Sequence, residues 1–110
     1  MKVHLVTKQT IENYSLQNAG CRDSFRLWLS VLKDADWERP DDIRRTFRSA
    51  DLLGDGTERI VFNVAGNNYR MICQYVFGIK KVHLFICWIG THAEYTRLCN
   101  SQQQYLISNY

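Results

Sequence analysis

The 110-residue chain is 45% hydrophobic and 23% charged with a formal net charge of +3, the size and balance of one compact domain spanning residues 1–110. Aromatics at 13%, one proline and six glycines exclude a disordered chain, and no run of about 18 apolar residues is present to cross a bilayer. The stretch Met1–Lys8 lacks the apolar core and small-residue cleavage site of an export signal, so a cytoplasmic protein without a membrane partner is expected. The small positive excess permits a polyanionic partner without demanding one. Cys21, Cys73, Cys87 and Cys99 show no CxxC or finger-like spacing, and are expected to be reduced and mostly packed.

The chain opens on an alternation, Val3 and Leu5 between polar neighbours, that predicts a short strand over residues 2–7. Ile11, Tyr14 and Ala19 are thin apolar markers of a helical stretch near 10–18, which Gly20 punctuates. A stronger helix follows, because Phe25, Trp28, Leu29 and Leu32 fall on one stripe and Arg22, Arg26, Ser30 and Lys33 fall off it. Pro40-Asp41-Asp42 starts another, with acidic residues at the positive end of the dipole and Ile43 and Phe47 one turn apart. Arg44, Arg45 and Arg48 decorate its outer side. Gly54-Asp55-Gly56 then closes the helical half.

From Ile60 to Ile89 the period becomes two. A turn at Gly66-Asn67 sets Val64 against Tyr69, Phe62 against Met71 and Ile60 against Cys73. A turn at Gly78-Ile79 sets Met71 against Ile86, Cys73 against Leu84 and Tyr75 against Val82. Both registers place these side chains on one face, which is expected to pack on the helices. The opposite face then carries a row of Asn63, Arg70 and Cys87, a row of Val61, Ile72 and Phe85, and the pairs Gln74–His83 and Val76–Lys81. Cys73 and Cys87 fall on opposite faces, out of disulfide reach. After Gly90, Thr91-His92-Ala93-Glu94 fits a capping box, so a short helix begins with His92 and Tyr95 on one side of its first turn. The expected fold is α+β: an N-terminal strand and helices on one face of a small, mostly antiparallel twisted sheet, then a short C-terminal helix.

An arginine at a strand centre costs desolvation unless something pairs with it. Arg70 is either a guanidinium held ready for a phosphate or an arginine paired with a carboxylate at a sheet edge. His92, its charged form disfavoured by the helix dipole, suits a base or hydrogen-bond acceptor, and equally a solvent-facing residue of a capped turn. Tyr95 suits a proton donor, a base-stacking platform or ordinary packing. Arg70, Asn63, His92 and Tyr95 converge on one end of the sheet beside a helix N-terminus, which favours an anion site. Lys80, Lys81, Arg44, Arg45 and Arg48 make a candidate basic rim for a phosphate backbone, or a solvated face. His4, His83 and His92 are scattered in the sequence with no HxxxH or paired-carboxylate motif, so neither a metal nor another cofactor is expected. A nucleophilic Cys87–His92 pair stands against an inert packed thiol.

Arg59-Ile60-Val61-Phe62-Asn63-Val64-Ala65-Gly66-Asn67-Asn68-Tyr69-Arg70 and Trp88-Ile89-Gly90-Thr91-His92-Ala93-Glu94-Tyr95 together resemble the HigB-type toxins of the RelE superfamily. Trp28, Trp37 and Phe47-Arg48-Ser49-Ala50-Asp51 fit the same pattern, so the resemblance covers most of the chain. It implies the toxin of a type II toxin-antitoxin module, a metal-independent endoribonuclease that cleaves mRNA, typically on the ribosome, through attack of the ribose 2′-hydroxyl on the adjacent phosphate. In that scheme Arg70 stabilises phosphate charge, His92 and Tyr95 transfer protons or stack on a base, and Asn63 orients the backbone. The implied partner is a HigA-type helix-turn-helix antitoxin, whose complex binds operator DNA. The chain departs from the family's charged pattern at Cys87, near Ala65 or Asn68, and at Thr96, which implies either a weak or ribosome-dependent nuclease or a catalytically weakened RNA- or antitoxin-binding module of the same fold.

Overall fold

The computed structural model describes all residues, Met1–Tyr110. Strand β1 (Lys2–Val6) leads into helices α1 (Gln9–Gln17), α2 (Arg22–Lys33) and α3 (Pro40–Thr46). Strands β2 (Asp51–Leu52), β3 (Arg59–Val64), β4 (Tyr69–Phe77) and β5 (Lys81–Thr91) follow, then α4 (His92–Asn100). The sheet order is β1-β5-β4-β3-β2. Only the β1–β5 pair is parallel, as a long crossover through the helices requires. The α+β reading therefore holds.

The apolar stripe of α2 does what its spacing implies: Phe25, Trp28 and Leu32 are buried on the inner sheet face with Ile43 of α3, Ile60, Phe62, Met71, Cys73 and Leu84. Trp28 stacks on Phe47 with ring centroids 5.3 Å apart, and Phe62 meets both rings edge-on. This aromatic block fixes the helix layer against the strands. Asp42 sharpens the start of α3 by accepting hydrogen bonds from the amides of Glu38 (2.8 Å) and Arg39 (3.2 Å). Those donors hold its carboxyl below the usual aspartate value.

The β3–β4 register matches the expectation: Ile60 opposes Cys73, Phe62 opposes Met71 and Val64 opposes Tyr69. Its turn closes through Asn68 N–H to Ala65 O at 3.1 Å, with Ala65 and Gly66 at φ of 54° and 64°. The β4–β5 register differs. Gly78 N–H bonds Lys81 O at 2.9 Å, so Ile79-Lys80 makes the turn, one residue beyond the expected Gly78-Ile79. Cys73 consequently opposes Ile86, Tyr75 opposes Leu84 and Phe77 opposes Val82. Gln74 lies beside Phe85 and Val76 beside His83, in place of the expected Gln74–His83 and Val76–Lys81 pairs.

A β-bulge then interrupts the pairing between Ile72 and Cys73. Ile86 and Ile89 stay in the inner core, whereas Cys87 and Trp88 both lie on the outer face. One extra residue re-aims everything after it. Met71 opposes Ile89, and Arg70 opposes Gly90, so the outer rows read Asn63–Arg70–Gly90 and Val61–Ile72–Trp88. Cys87 leaves the Arg70 row, and Phe85 leaves the Ile72 row. The four cysteines are free, with Cys73 and Cys87 in different clusters.

Helix α4 and the tail cover half of this outer face. Tyr95, Leu98 and Ile107 pack on Val61, Ile72, Cys87 and Trp88. The tail does not continue the helix: after a short 3-10 turn at Gln103–Tyr105 it runs back along the sheet. Asn109 N–H bonds Cys87 O at 2.8 Å, and Arg59 Nη1 donates to Gln104 O (3.3 Å) and Ile107 O (2.7 Å).

Candidate functional site

The turn end of the outer face brings together residues from β3, β4, the hairpin between them and α4. The cap of α4 sets the geometry. Thr91 Oγ1 accepts from Glu94 N–H at 3.2 Å, and Glu94 Oε1 accepts from Thr91 N–H at 2.8 Å, so the expected capping box is present. His92 N–H bonds Asn68 O at 2.9 Å, tying the start of α4 to the β3–β4 turn. Gly90 allows α4 to come this close: a Cβ there would lie 2.4 Å from Cη2 and Cζ2 of Trp88 and 3.1 Å from Glu94 Oε1. The Trp88 ring fills that space and meets Tyr95 at 6.1 Å.

Arg70 is only 8% exposed and has no carboxylate partner. Its Nη1 donates to Asn67 O (2.9 Å) and Tyr69 O (3.3 Å). Its Nη2 reaches Asn67 Oδ1 (3.3 Å) and His92 Nδ1 (2.8 Å), while Cζ lies 5.9 Å from the centre of the Tyr95 ring. Every acceptor is neutral. The guanidinium thus keeps its full charge in a desolvated position beside a helix N-terminus, an arrangement that attracts an anion. The sheet-edge ion pair considered from the sequence does not form.

The same contacts fix proton positions. A guanidinium only donates, so His92 Nδ1 is the unprotonated nitrogen and a neutral ring carries its proton on Nε2. The exposed imidazole edge is a donor in this state. Burial pushes the Tyr95 phenol well above the ordinary tyrosine value, and neighbouring Cys99 adds to the rise, so Tyr95 is also held as a donor. Burial likewise raises the Cys87 thiol. Its Sγ turns to Phe85 O at 3.7 Å, which leaves no basis for a Cys87–His92 nucleophile.

Asn63 joins the group through Nδ2, 3.4 Å from Asn67 Oδ1. Asn67 is the member that the sequence reading passed over: it looked like a turn residue, and its two oxygens in fact take three of the contacts made by Arg70 and Asn63. The basic rim is dispersed. Arg44, Arg45 and Arg48 line an open concavity with Asp41 on the helix side of the sheet, where Arg45 pairs with Asp42 at 3.0 Å. Lys80 and Lys81 sit at the β4–β5 turn, the far end of β4 from Arg70.

Residues 21–98, well over half of the chain, match the model of the HigB toxin family, described as the RelE-like toxic component of a toxin-antitoxin system. The chain belongs to the HigB toxin family. It is also similar to the mRNA interferase HigB of Escherichia coli O6:H1 strain CFT073, with 27% identity over 96 residues that cover 87% of this chain and 91% of that relative. The residues gathered around Arg70 lie inside the matched HigB region. As the toxin of such a module, the protein has an antitoxin for a partner. No helix is long and apolar enough to cross a membrane.

Proposed function

We propose that this HigB-family chain is an endoribonuclease that cuts mRNA on the ribosome by attack of a ribose 2′-hydroxyl on the adjacent phosphate. The observation that carries the reading is the buried Arg70 guanidinium, held only by neutral acceptors next to His92 and Tyr95. The name of the Escherichia coli relative agrees with it.

A scissile phosphate at this position competes with His92 for Arg70 Nη2. Charge-assisted bonds to phosphate are stronger than a bond to a neutral imidazole, so substrate draws the guanidinium over and releases His92 Nδ1. The freed nitrogen accepts the 2′-hydroxyl proton as the 2′-oxygen bonds to phosphorus. Arg70 neutralises the phosphorane, and the P–O5′ bond breaks as the Tyr95 phenol gives its proton to the departing oxygen. The products are a 2′,3′-cyclic phosphate and a 5′-hydroxyl. Asn67 and Asn63 hold the turn against which Arg70 moves.

No step draws on a metal ion. Ribosome binding positions the mRNA, which suits a toxin of modest net charge. Arg44, Arg45, Arg48, Lys80 and Lys81 contact RNA backbone away from the cut. The antitoxin is of the HigA helix-turn-helix type, and operator DNA is bound through that complex.

The test is cleavage-site mapping of an mRNA in a translating extract, with and without ribosomes, for the wild type, Arg70→Ala and His92→Ala. Cuts that require ribosomes and vanish in both variants are expected. Intact mRNA with folded wild-type protein overturns the nuclease reading in favour of a binding module.

A further inference from the structure

The open half of the outer face carries a second constellation. Strand β1 forms the sheet edge and pairs with β5 in parallel register, placing Lys2 beside Lys81 and His4 beside His83. Val3, Leu5, Val82 and Leu84 pack inward, so strand alternation turns both histidines outward. His4 is exposed and His83 partly so. Their rings meet edge-on, with centroids 5.6 Å apart and an interplanar angle of 79°. The two Nδ1 atoms are 3.4 Å apart.

Two neutral imidazoles share one hydrogen bond at that separation, one ring donating and the other accepting. The separation is also a chelate bite. Nitrogens about 2.0–2.1 Å from an ion, spread at the tetrahedral angle, lie about 3.3–3.4 Å apart. We propose that His4 and His83 form a two-imidazole site for a divalent first-row transition ion such as Zn²⁺ or Ni²⁺, bridging β1 and β5. Side chains far apart in the sequence then share one ligand, so the ion staples the edge strand to the sheet.

The chemistry of the site limits what it takes. No third His, Cys, Asp or Glu converges there, so water completes the coordination shell. Without a carboxylate, imidazole nitrogen selects borderline ions over Mg²⁺ and Ca²⁺, which demand oxygen ligands. Lys2 and Lys81, one row away, oppose a further positive charge and hold the affinity down. Val76 and His83 are paired on β4 and β5, and Arg70 lies six residues from Val76 on β4, about 20 Å by strand rise. The proposal therefore stands or falls independently of the nuclease reading.

Isothermal titration of the full chain with NiCl₂, against MgCl₂ and for His4→Gln, His83→Gln and Cys99→Ser, tests it. Circular dichroism confirms that each variant folds. Saturable one-to-one Ni²⁺ binding is expected, weakened at least about tenfold by either histidine substitution and kept in Cys99→Ser. Ni²⁺ should raise the Tm of the wild type and of neither histidine variant. The site is overturned by the absence of saturable binding, by an equal response to Mg²⁺, by unchanged binding in either histidine variant, or by loss with Cys99→Ser.

Discussion

The outer face of the sheet has two ends, each organised by an arginine, and they use it in opposite ways. Arg59 spends its Nη1 donor on Gln104 O and Ile107 O, locking the tail over Val61, Ile72, Cys87 and Trp88. Arg70 is buried more deeply, yet its donors go to the carbonyls of Asn67 and Tyr69, an amide oxygen and an imidazole at the rim. Neither has a carboxylate. The difference lies in what an incoming anion displaces. At Arg59 it must unseat a segment of chain, whereas at Arg70 it need only take one bond from His92.

The largest effect expected from this contrast separates the two arginines by conservative substitution. A lysine at position 70 has no planar fork with which to hold Asn67 and reach a phosphate together. Arg70→Lys should therefore lower single-turnover mRNA cleavage on programmed ribosomes by about 10²–10³-fold, the scale of one lost transition-state donor. Arg59→Lys should leave that rate within a few-fold of wild type. Equal losses in the two variants would mean that Arg70, like Arg59, only holds the fold.

Tyr95 sharpens the same end. Its phenol is pushed above the ordinary tyrosine value of 10.0, so the proton stays on the oxygen as pH rises through that value. If Tyr95 donates to the leaving group, the cleavage rate should show no alkaline fall below pH 10, and Tyr95→Phe should cost about 10²-fold. A pH–rate profile of wild type and variant checks both. An alkaline limb near neutrality that persists in Tyr95→Phe would assign the donor elsewhere.

How much of this was legible in the sequence depends on whether local chemistry decided it. The α2 stripe, the α4 capping box and the β3–β4 register follow from period, cap residues and a turn with Gly66, so the meeting of Arg70, His92 and Tyr95 at one end of the sheet was legible. The β4–β5 register was not, because Gly78 invites a turn one residue too early and nothing local marks the extra residue at Cys87. Beyond the bulge Trp88 packs outward across Gly90 and against Tyr95, a tertiary contact with no period to betray it. Asn67 escaped for a similar reason: turn chemistry explains it fully until Arg70 is folded back onto it. The His4–His83 pair depends on a parallel crossover that brings β1 beside β5, which no spacing rule reports.

Gly90→Ala joins the two ends, since the Trp88 ring occupies the place of the new methyl. The ring must move, and it belongs to the cluster that the tail covers. A loss of about 1–3 kcal/mol in denaturant unfolding is expected, the usual cost of forcing extra volume into a packed site. Because α4 starts two residues later, cleavage should fall as well. A variant as stable as wild type would show that the α4 side of the sheet yields easily.

The smallest effect is expected at the tail. Arg59→Ala removes the bonds to Gln104 O and Ile107 O, but Ile107 still packs on the outer cluster and Asn109 still bonds Cys87 O. The cost should be about 1 kcal/mol, the usual net contribution of a hydrogen bond. Global stability is a blunt probe of so local a change. Amide exchange is the better one: the Asn109 and Ile107 amides should lose protection in Arg59→Ala, while Asn68 and His92, at the other end, keep theirs. Loss of protection at both ends would make the outer face one cooperative unit, with the tail as part of the support for the site. Protection lost at the tail alone would leave Arg59 with a purely local task and the Arg70 end self-supporting through its own turn and cap.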